Sequence, residues 1–460
     1  MQIPKSLHHI ISSLSKQGVR AIIVGGAVRD FLLKKSIKDI DIEVYNISSL
    51  DALEGMLKPF GKVNQVGKAF GVVKLRVDNF EYDFSLPRVE KKIAKGHRGF
   101  SVELDSSLSF KEASSRRDFR INAIGYDILT KEFIDPHDGI KDLEQKTLRH
   151  ISDKTFIEDP LRVYRAVQFS ARFNLKLQQS TFNLCKSMVE SGSLDELPKE
   201  RVYEEFKKLL LKSSRPSIGF NLMLDLGIIK KYYPELYSLT KTPQDKRYHK
   251  EGNVWIHTMM VLDEMAKLVK EYSNEEKLEL LFGALCHDLG KPLTTKVTKD
   301  KISAIGHDIA GIEPTTTFLE RLTNQESLIR GVTNLVKYHL RPFIYYKNGA
   351  KDSTIRALAT KIQIKKLLIL AKADSLGRVS IDNNSYKACD WLEAKAKELN
   401  VFTKPLEPLI KGRDLIKIGL TPSAKFKEIL DKLYRAQLKG QFSSKEEGLE
   451  YFKKHQKNFI

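Results

Sequence analysis

The chain has 460 residues, too many for one hydrophobic core, and its 41% hydrophobic and 30% charged residues make a globular balance rather than a disordered one. Lys and Arg number 78 against 58 Asp and Glu; the surplus of +20 makes nucleic acid the default partner, with simple solubility as the alternative. The longest apolar runs, Ala21 to Val24 and Leu367 to Leu370, are far too short to cross a bilayer, which excludes a membrane protein.

Met1-Gln-Ile-Pro-Lys opens a polar, amphipathic stretch without an export signal, so a cytoplasmic location is expected. Short β-like runs follow at Arg20 to Val24, Ile40 to Tyr45, Gly71 to Val77, Glu81 to Leu86 and Asn122 to Ile128, a small mixed sheet. After about residue 150 helical periodicity takes over, as in Leu161, Val163, Tyr164, Ala166, Val167, Phe169 and again Val202, Phe206, Leu209, Leu210. Joints are expected at Lys212 to Pro216, Leu239 to Lys250 and Lys404 to Pro408. Three scattered cysteines, Cys185, Cys286 and Cys389, suit buried thiols rather than a disulfide framework.

Chemistry concentrates near the start. Strand Ile22-Ile23-Val24 runs into Gly25-Gly26 and then a helix start, where bare backbone N–H groups can meet a phosphate, although an ordinary tight turn reads the same way. In Asp39-Ile40-Asp41-Ile42 the two carboxylates lie two apart on a strand, hence on one face, and repel unless a cation joins them. Two-metal nucleotidyl transfer needs this arrangement, and Mg²⁺ is the natural guest. Asp83, on a neighbouring strand, is either a third ligand or a solvent-facing acid. Arg88, Lys91, Lys92, Lys95, His97 and Arg98 read as a mobile basic loop.

Gly25-Gly26-Ala27-Val28-Arg29-Asp30 followed by Asp39-Ile40-Asp41 resembles the opening motif of the class II (bacterial-type) tRNA nucleotidyltransferases, the CCA-adding enzymes. Four further segments resemble that family in order: Arg116-Arg117-Asp118-Phe119 with Asn122-Ala123; Asp135 to Arg149; Glu158-Asp159-Pro160-Leu161-Arg162; and Glu200 to Glu205. The resemblance implies catalysis at Asp39 and Asp41 and nucleotide contacts at Gly25, Gly26, Arg29, Arg117, Asp118, Asn122, Asp159, Arg162 and Arg165. Its partners would be tRNA, CTP and ATP. Base choice without a template is chemically reasonable: C and A both pair an exocyclic amino donor with a ring-nitrogen acceptor, so Asp159 accepting and Arg162 donating admit these two and oppose G and U. Asp159 also suits an N-cap ahead of Pro160. Poly(A) polymerases share the head motifs, but Val66 to Val73 lacks their Arg-Phe…His pattern.

Further on, His257, His287-Asp288, His307, His339 and Asp374 resemble the ligand set of an HD phosphohydrolase domain, the tight pair standing where an apolar helix would end at Gly290. Imidazole plus carboxylate suits Mn²⁺, Fe²⁺, Ni²⁺ or Zn²⁺, with phosphatase or 2′,3′-cyclic phosphodiesterase chemistry to follow. Lys291, Lys296, Lys299 and Lys301 either engage phosphate or, as a charge run, are simply solvated. Tyr434, Arg435, Lys439, Lys453 and Lys454 offer a basic helical surface for the tRNA elbow.

The expected fold is α+β: a mixed-sheet nucleotidyltransferase head (1–145), an all-α neck (146–238), an HD domain (239–403) and a helical tail (404–460). The expected activity is CCA addition to tRNA. Its rivals are a partial CC- or A-adder, a poly(A) polymerase-like enzyme, an HD phosphohydrolase with an inactive head, and a non-enzymatic RNA-binding protein.

Overall fold

Strand β1 (Arg20–Val24) is buried from Ala21 to Val24, as a strand covered on both faces must be, and the head is built around it. The computed structural model describes residues 1, 3–37, 39–64, 71–92, 100–379 and 383–456. It divides into two units, Met1–Ser213 with Ile218–Ile228 and Ser214–Ser217 with Ile229–Ile460.

In the first unit β1 is joined by β2 (Ile40–Tyr45), β3 (Lys62–Asn64), β4 (Val72–Val77), β5 (Phe80–Ser85), β6 (Arg88–Lys92), β7 (Phe100–Leu104), β8 (Gly125–Asp127) and β9 (Glu132–Ile134). Seven of these form one mixed sheet in the order β3-β4-β5-β2-β1-β8-β9. Only β2 and β5 run parallel; the other neighbours are antiparallel. Register then sets the chemistry: Val24 lies opposite Asp41, and Asp41 pairs with Asp83. Helix Lys5–Lys16 covers β1 with Leu7, Ile10, Ile11 and Leu14, an i, i+3, i+4, i+7 stripe. The neck packs helix Leu161–Phe173 on helix Lys199–Lys212, burying Val163, Ala166 and Val167 with Phe206, Leu209 and Leu210.

Two expectations need correction here. The basic segment after Arg88 is not simply a loop: β6 and β7 pair as an antiparallel ribbon, Arg88 opposite Leu104. Lys95, His97 and Arg98 lie outside the described residues, as do Val66 to Phe70. The run Asn122 to Ile128 holds only the three-residue β8, because a 3₁₀ turn at Arg120–Asn122 takes its start.

In the second unit helices Val254–Leu268, Asn274–Cys286, Glu326–Tyr338 and Ile364–Leu376 pack together. A further core of Ile410, Leu415, Ile429, Leu433, Phe442 and Phe452 holds the last helices. Cys185, Cys286 and Cys389 are buried free thiols. No described helix is long and apolar enough to cross a membrane.

Candidate functional site

The head site begins at the end of β1. Gly25 has φ +71°, a left-handed conformation that disfavours any side chain, and a Cβ there would stand 3.2 Å from Arg117 Nη1 and 3.7 Å from Asp41 Oδ2. Glycine thus leaves room for cation, carboxylate and backbone to converge. A cleft of about 400 Å³ opens at this point, lined by Gly25, Gly26, Arg29, Asp41, Arg117, Asp118, Asn122, Asp159, Arg162, Arg165 and Arg201 among others. All nine residues expected to contact nucleotide are in that lining. Asp39 stands just before β2 rather than within it and lines an adjoining recess of about 370 Å³ with Asp41, Lys35 and Arg172.

The cleft wall is tied together by hydrogen bonds. Arg165 clasps Asp118 Oδ2 at 2.6–2.7 Å; Asp118 Oδ1 accepts from Asn122 Nδ2 (2.9 Å) and Phe119 N (2.8 Å); Arg29 Nη1 donates to Asn122 Oδ1 (2.6 Å). Burial alone would raise the Asp118 carboxyl, but Arg165 and Asn122 outweigh it and hold it below the usual carboxylate range. Asp118 is therefore a buried pivot that aims Arg165 and Asn122. Arg29 also lies over the rings of Phe173 (4.5 Å) and Phe169 (5.3 Å).

Two partners escaped sequence reasoning. Glu43, two residues past Asp41 and buried to 1% exposure, meets Arg116 at 3.4 Å and Arg117 at 3.5 Å. The alternation Asp39, Asp41, Glu43 was the available signal: the strand's period of two carries the acid stripe from the cleft into the wall. Arg201 approaches Asp159 Oδ2 at 3.3 Å. Arg162 does not meet Asp159 side chain to side chain: it donates to Thr155 O (2.9 Å) and Arg116 O (2.7 Å). Asp159 Oδ1 also accepts from Leu161 N at 3.2 Å, so the helix-start role coexists with a place in the cleft.

Among the described residues the head has no cluster of three close metal-type ligands. What it has is crowding: desolvation by the surrounding cleft first, then the Asp83 charge, with Asp39 adding, raises the Asp41 carboxyl against the pull of Arg117, although the residue stays exposed to solvent. A divalent cation relieves that repulsion, so Asp39 and Asp41 fit one. Asp83 is engaged by Lys74 Nζ at 3.0 Å.

The second site is made where helix ends meet. His257 lies in the first turns of its helix behind the Asn253 cap, His287 and His339 cap the C-termini of theirs, and Asp374 projects from helix Ile364–Leu376. The helix before His287 ends at Cys286, not Gly290. Gly290 instead permits close approach: a Cβ there would lie 2.0 Å from His307 O, so glycine lets the His307 turn lie against the His287-Asp288 turn.

All six residues are buried, from 0% exposure at His257 to 8% at His307. Three imidazoles tie Nδ1 to a backbone carbonyl, His287 to Ala284 (2.8 Å), His307 to Ala304 (2.6 Å) and His339 to Val336 (2.6 Å). His257 ties Nδ1 to Glu251 Oε1 (3.0 Å). With Nδ1 engaged in each ring, Nε2 is the atom turned toward the centre. His257 Nε2 then faces Asp374 Oδ1 at 3.0 Å, His307 Nε2 faces His339 Nε2 at 3.1 Å, and Asp288 stands 3.2 Å from His287 Nε2 and 3.3 Å from His307 Nε2. Groups this close repel unless a proton or a metal ion lies between them, and two sets of three, His257, His287 and Asp288, and Asp288, His307 and His339, bring their ligand-type atoms within 4.8 Å of one another. Burial, followed by the His307 and His287 charges, lowers His339 to about 3, so it is neutral and competent to ligate. Burial would raise Asp288, but His287 and Lys291 hold it well below the usual range. Sequence reasoning missed His249 and Glu251, which with His257 form a third close group of ligand-type atoms; their signal, His-x-Glu, was hidden in a stretch read as a joint. Lys291 is not part of a solvated run: it pairs with Asp288 at 2.7 Å, while Lys296, Lys299 and Lys301 are exposed. In the tail Tyr434 donates its hydroxyl to Leu406 O (2.6 Å), which engages it within the protein rather than leaving it free for RNA.

A mixed sheet presenting acidic residues beside a Gly-Gly turn, followed by helices and a histidine-aspartate cluster, defines a nucleotidyltransferase head joined to an HD domain. Family models agree: the poly A polymerase head domain matches residues 21–149, the probable RNA and SrmB-binding site of polymerase A residues 174–239, and the HD domain residues 254–378. The multifunctional CCA protein of Mannheimia succiniciproducens is 35% identical over 384 residues, covering 81% of this chain and 88% of that one, and the Methylococcus capsulatus protein of the same name is 32% identical, covering 84% and 89%. The chain belongs to this family, the CCA tRNA nucleotidyltransferases. Its fold is that of the Bacillus stearothermophilus CCA-adding enzyme solved in complex with CTP (TM-score 0.64, 21% identity, covering 99% of this chain and 100% of that one). The Thermotoga maritima CCA-adding enzyme complexed with tRNA is similar in fold (TM-score 0.60, 20% identity, 98% and 95%). Nucleotidyltransferase heads and HD domains generally use divalent metals, and the clustered ligands accord with that.

Proposed function

We propose that the protein extends the 3′ end of tRNA with C and A, taken from CTP and ATP, without a nucleic-acid template. The observation that carries this is the single cleft in which the Gly25-Gly26 turn, the Asp41 carboxylate and the Asp159, Arg162 and Arg165 wall meet. Relatives solved with CTP, with ATP and with tRNA support these partners. Asp39 and Asp41 hold Mg²⁺, with Asp83 at their edge. Ions held there would lower the pKa of the attacking 3′-hydroxyl and neutralise the departing pyrophosphate, one ion for each role. Gly25, Gly26, Arg29 and Arg117 receive the triphosphate; Asp118 and Asn122 keep Arg165 and Arg29 aimed. Asp159 accepts from the exocyclic amino group of C or A, and Arg162, fixed by two backbone carbonyls, presents its remaining N–H groups to the ring nitrogen. Exposed Arg435, Lys439, Lys453 and Lys454 suit the tRNA elbow. A cytoplasmic location completes the reading.

The HD centre, in this reading, holds Mn²⁺, Ni²⁺, Fe²⁺ or Zn²⁺ at His257, His287, Asp288, His307, His339 and Asp374 and hydrolyses phosphate esters at RNA ends. Purified protein given tRNA transcripts ending before CCA, after C, or after CC is expected to add the missing residues from CTP and ATP, not from GTP or UTP. Activity on only some of these would mark a partial adder; a run of A on any RNA would restore the poly(A) rival; no addition at all would overturn the proposal.

A further inference from the structure

Glu251 stands behind the HD ligands and has no part in the reading above. Its side chain is only 1% exposed, in the turn just ahead of the helix that carries His257. That turn is specified locally. Gly252 has φ +125°, a conformation that residues with a side chain rarely adopt. Asn253 then caps the helix, its Oδ1 accepting from Ile256 N at 3.1 Å while its Nδ2 donates to Thr240 O at 2.8 Å. The chain is thereby turned so that Glu251 meets His257, six residues on.

Three donors converge on the Glu251 carboxylate. Oε1 accepts from His249 Nδ1 at 2.8 Å and from His257 Nδ1 at 3.0 Å, and the backbone N–H of Val379 approaches Oε2 at 3.4 Å. Val379 follows helix Ile364–Leu376, which carries Asp374, and His257 Nε2 lies 3.0 Å from Asp374 Oδ1. One carboxylate thus holds a metal-type ligand by its rear nitrogen and braces the end of the helix that supplies another. A carboxylate is acceptor-only and suits three donors; an amide would turn an NH₂ group on at least one of them. The His249, Glu251 and His257 atoms are close enough to hold an ion themselves, but 2.8 and 3.0 Å are ordinary hydrogen-bond lengths, and His257 turns its other nitrogen to the centre.

We propose that Glu251 is a positioning residue of the HD centre. By accepting from Nδ1–H it fixes His257 in the tautomer whose Nε2 lone pair faces the metal, and its negative charge makes that imidazole a stronger ligand. It sets the affinity of the centre without touching the ion. His249, bonded to the same oxygen, holds the carboxylate in place from the other side.

Glu251 has this role only if the HD reading is right about a metal, and the two are separable by experiment. The full chain, stripped with chelator and kept in excess Mg²⁺ to fill the head, is titrated with Zn²⁺ and with Co²⁺ against a chromophoric chelator. Glu251→Gln is expected to weaken both ions about 10- to 100-fold, while the number bound at saturation stays that of the wild type. Glu251→Asp, which keeps the charge and shortens the reach, is expected to fall between the two, and it carries the test if the glutamine variant does not fold. Asn253→Ala is the control: it removes the cap of the same turn and lowers the urea midpoint, yet is expected to leave metal affinity unchanged. An equal loss in Asn253→Ala would make Glu251 only a brace of the turn and overturn the proposal. Fewer ions bound at saturation by Glu251→Gln would make it a ligand and overturn the proposal too. So would wild-type affinity in Glu251→Gln, or in Glu251→Asp where only that variant folds. A wild type that binds neither ion would remove the metal reading and the role of Glu251 together.

Discussion

The two candidate sites neutralise their carboxylates in opposite ways. In the head, Asp39 and Asp41 come from one strand and its lead-in and are exposed, Asp118 and Asp159 join the cleft from elsewhere in the chain, and arginines supply most of the counter-charge. In the HD centre the acids and imidazoles come from separate helices and turns, are buried, and face one another lone pair to lone pair. A site with two exposed carboxylates fits an ion that keeps its waters and is completed by substrate phosphates, as Mg²⁺ is. A site with six buried ligands can hold a transition metal by itself. On the proposed function, the head would meet its metal with each nucleotide and the HD centre would keep one.

The strongest way to break that contrast is to remove ligands on each side. Asp39→Ala with Asp41→Ala is expected to lower CTP and ATP addition by at least about 10³-fold while metal bound in the HD centre, read by elemental analysis after gel filtration, stays constant. Loss of HD metal from that variant would merge the two sites. Next in size, His287→Ala is expected to empty the HD centre of tightly held metal. Its thermal transition would then no longer respond to metal, whereas wild-type protein at 100-fold excess of metal over Kd gains about 2.7 kcal/mol. A wild-type chain that leaves gel filtration metal-free would end the idea of a self-sufficient site.

Legibility followed sequence distance. Asp39, Asp41 and the Gly25-Gly26 turn were readable because strand period and register are local, and β1 and β2 fall on the expected residues. Glu43 lies on the same stripe and was passed over only because its partners, Arg116 and Arg117, are about 73 residues away. Arg201 was invisible as the partner of Asp159 for the same reason: the contact is made by packing of two helices, not by spacing. In the HD centre the ligands were found through resemblance to a known domain; His249-Lys250-Glu251 was passed over because the stretch up to Lys250 reads as a joint, and it is the start of the following helix that brings His257 back to Glu251. The β6–β7 ribbon was hidden by its basic residues, which read as a loop, because strand pairing is a backbone property that a run of charges does not announce.

A third test concerns discrimination. Asp159→Ala is expected to narrow the CTP over UTP ratio of kcat/KM by roughly 5- to 150-fold, the range of about 1–3 kcal/mol for an unpaired polar group. Arg201→Ala, which only frees one side of a partly exposed pair, should change it by less, about 0.5–1 kcal/mol. Equal effects from both would move base reading from Asp159 to the pair as a unit.

The smallest effect sharpens the comparison most. In the head, the buried charge of the cleft wall is balanced by protein, so the acid sensitivity of that wall should be independent of metal. Asp118 is the test group, because burial would raise its carboxyl and the Arg165 guanidinium with the Asn122 bond nevertheless keeps it low. A carboxyl depressed on folding contributes stability that is fully present above its unfolded pKa of about 3.9 and is lost as pH falls through the lower folded value. The gap between wild type and Asp118→Asn in urea unfolding should therefore be full at pH 7 and at pH 5, and shrink only below about pH 4, with or without chelator. For the HD centre the same chelator should change the pH profile, since ligand protonation there competes with metal. A gap for Asp118→Asn that depends on chelator, or that is already closing near neutrality, would mean that the head too relies on metal for its buried charge.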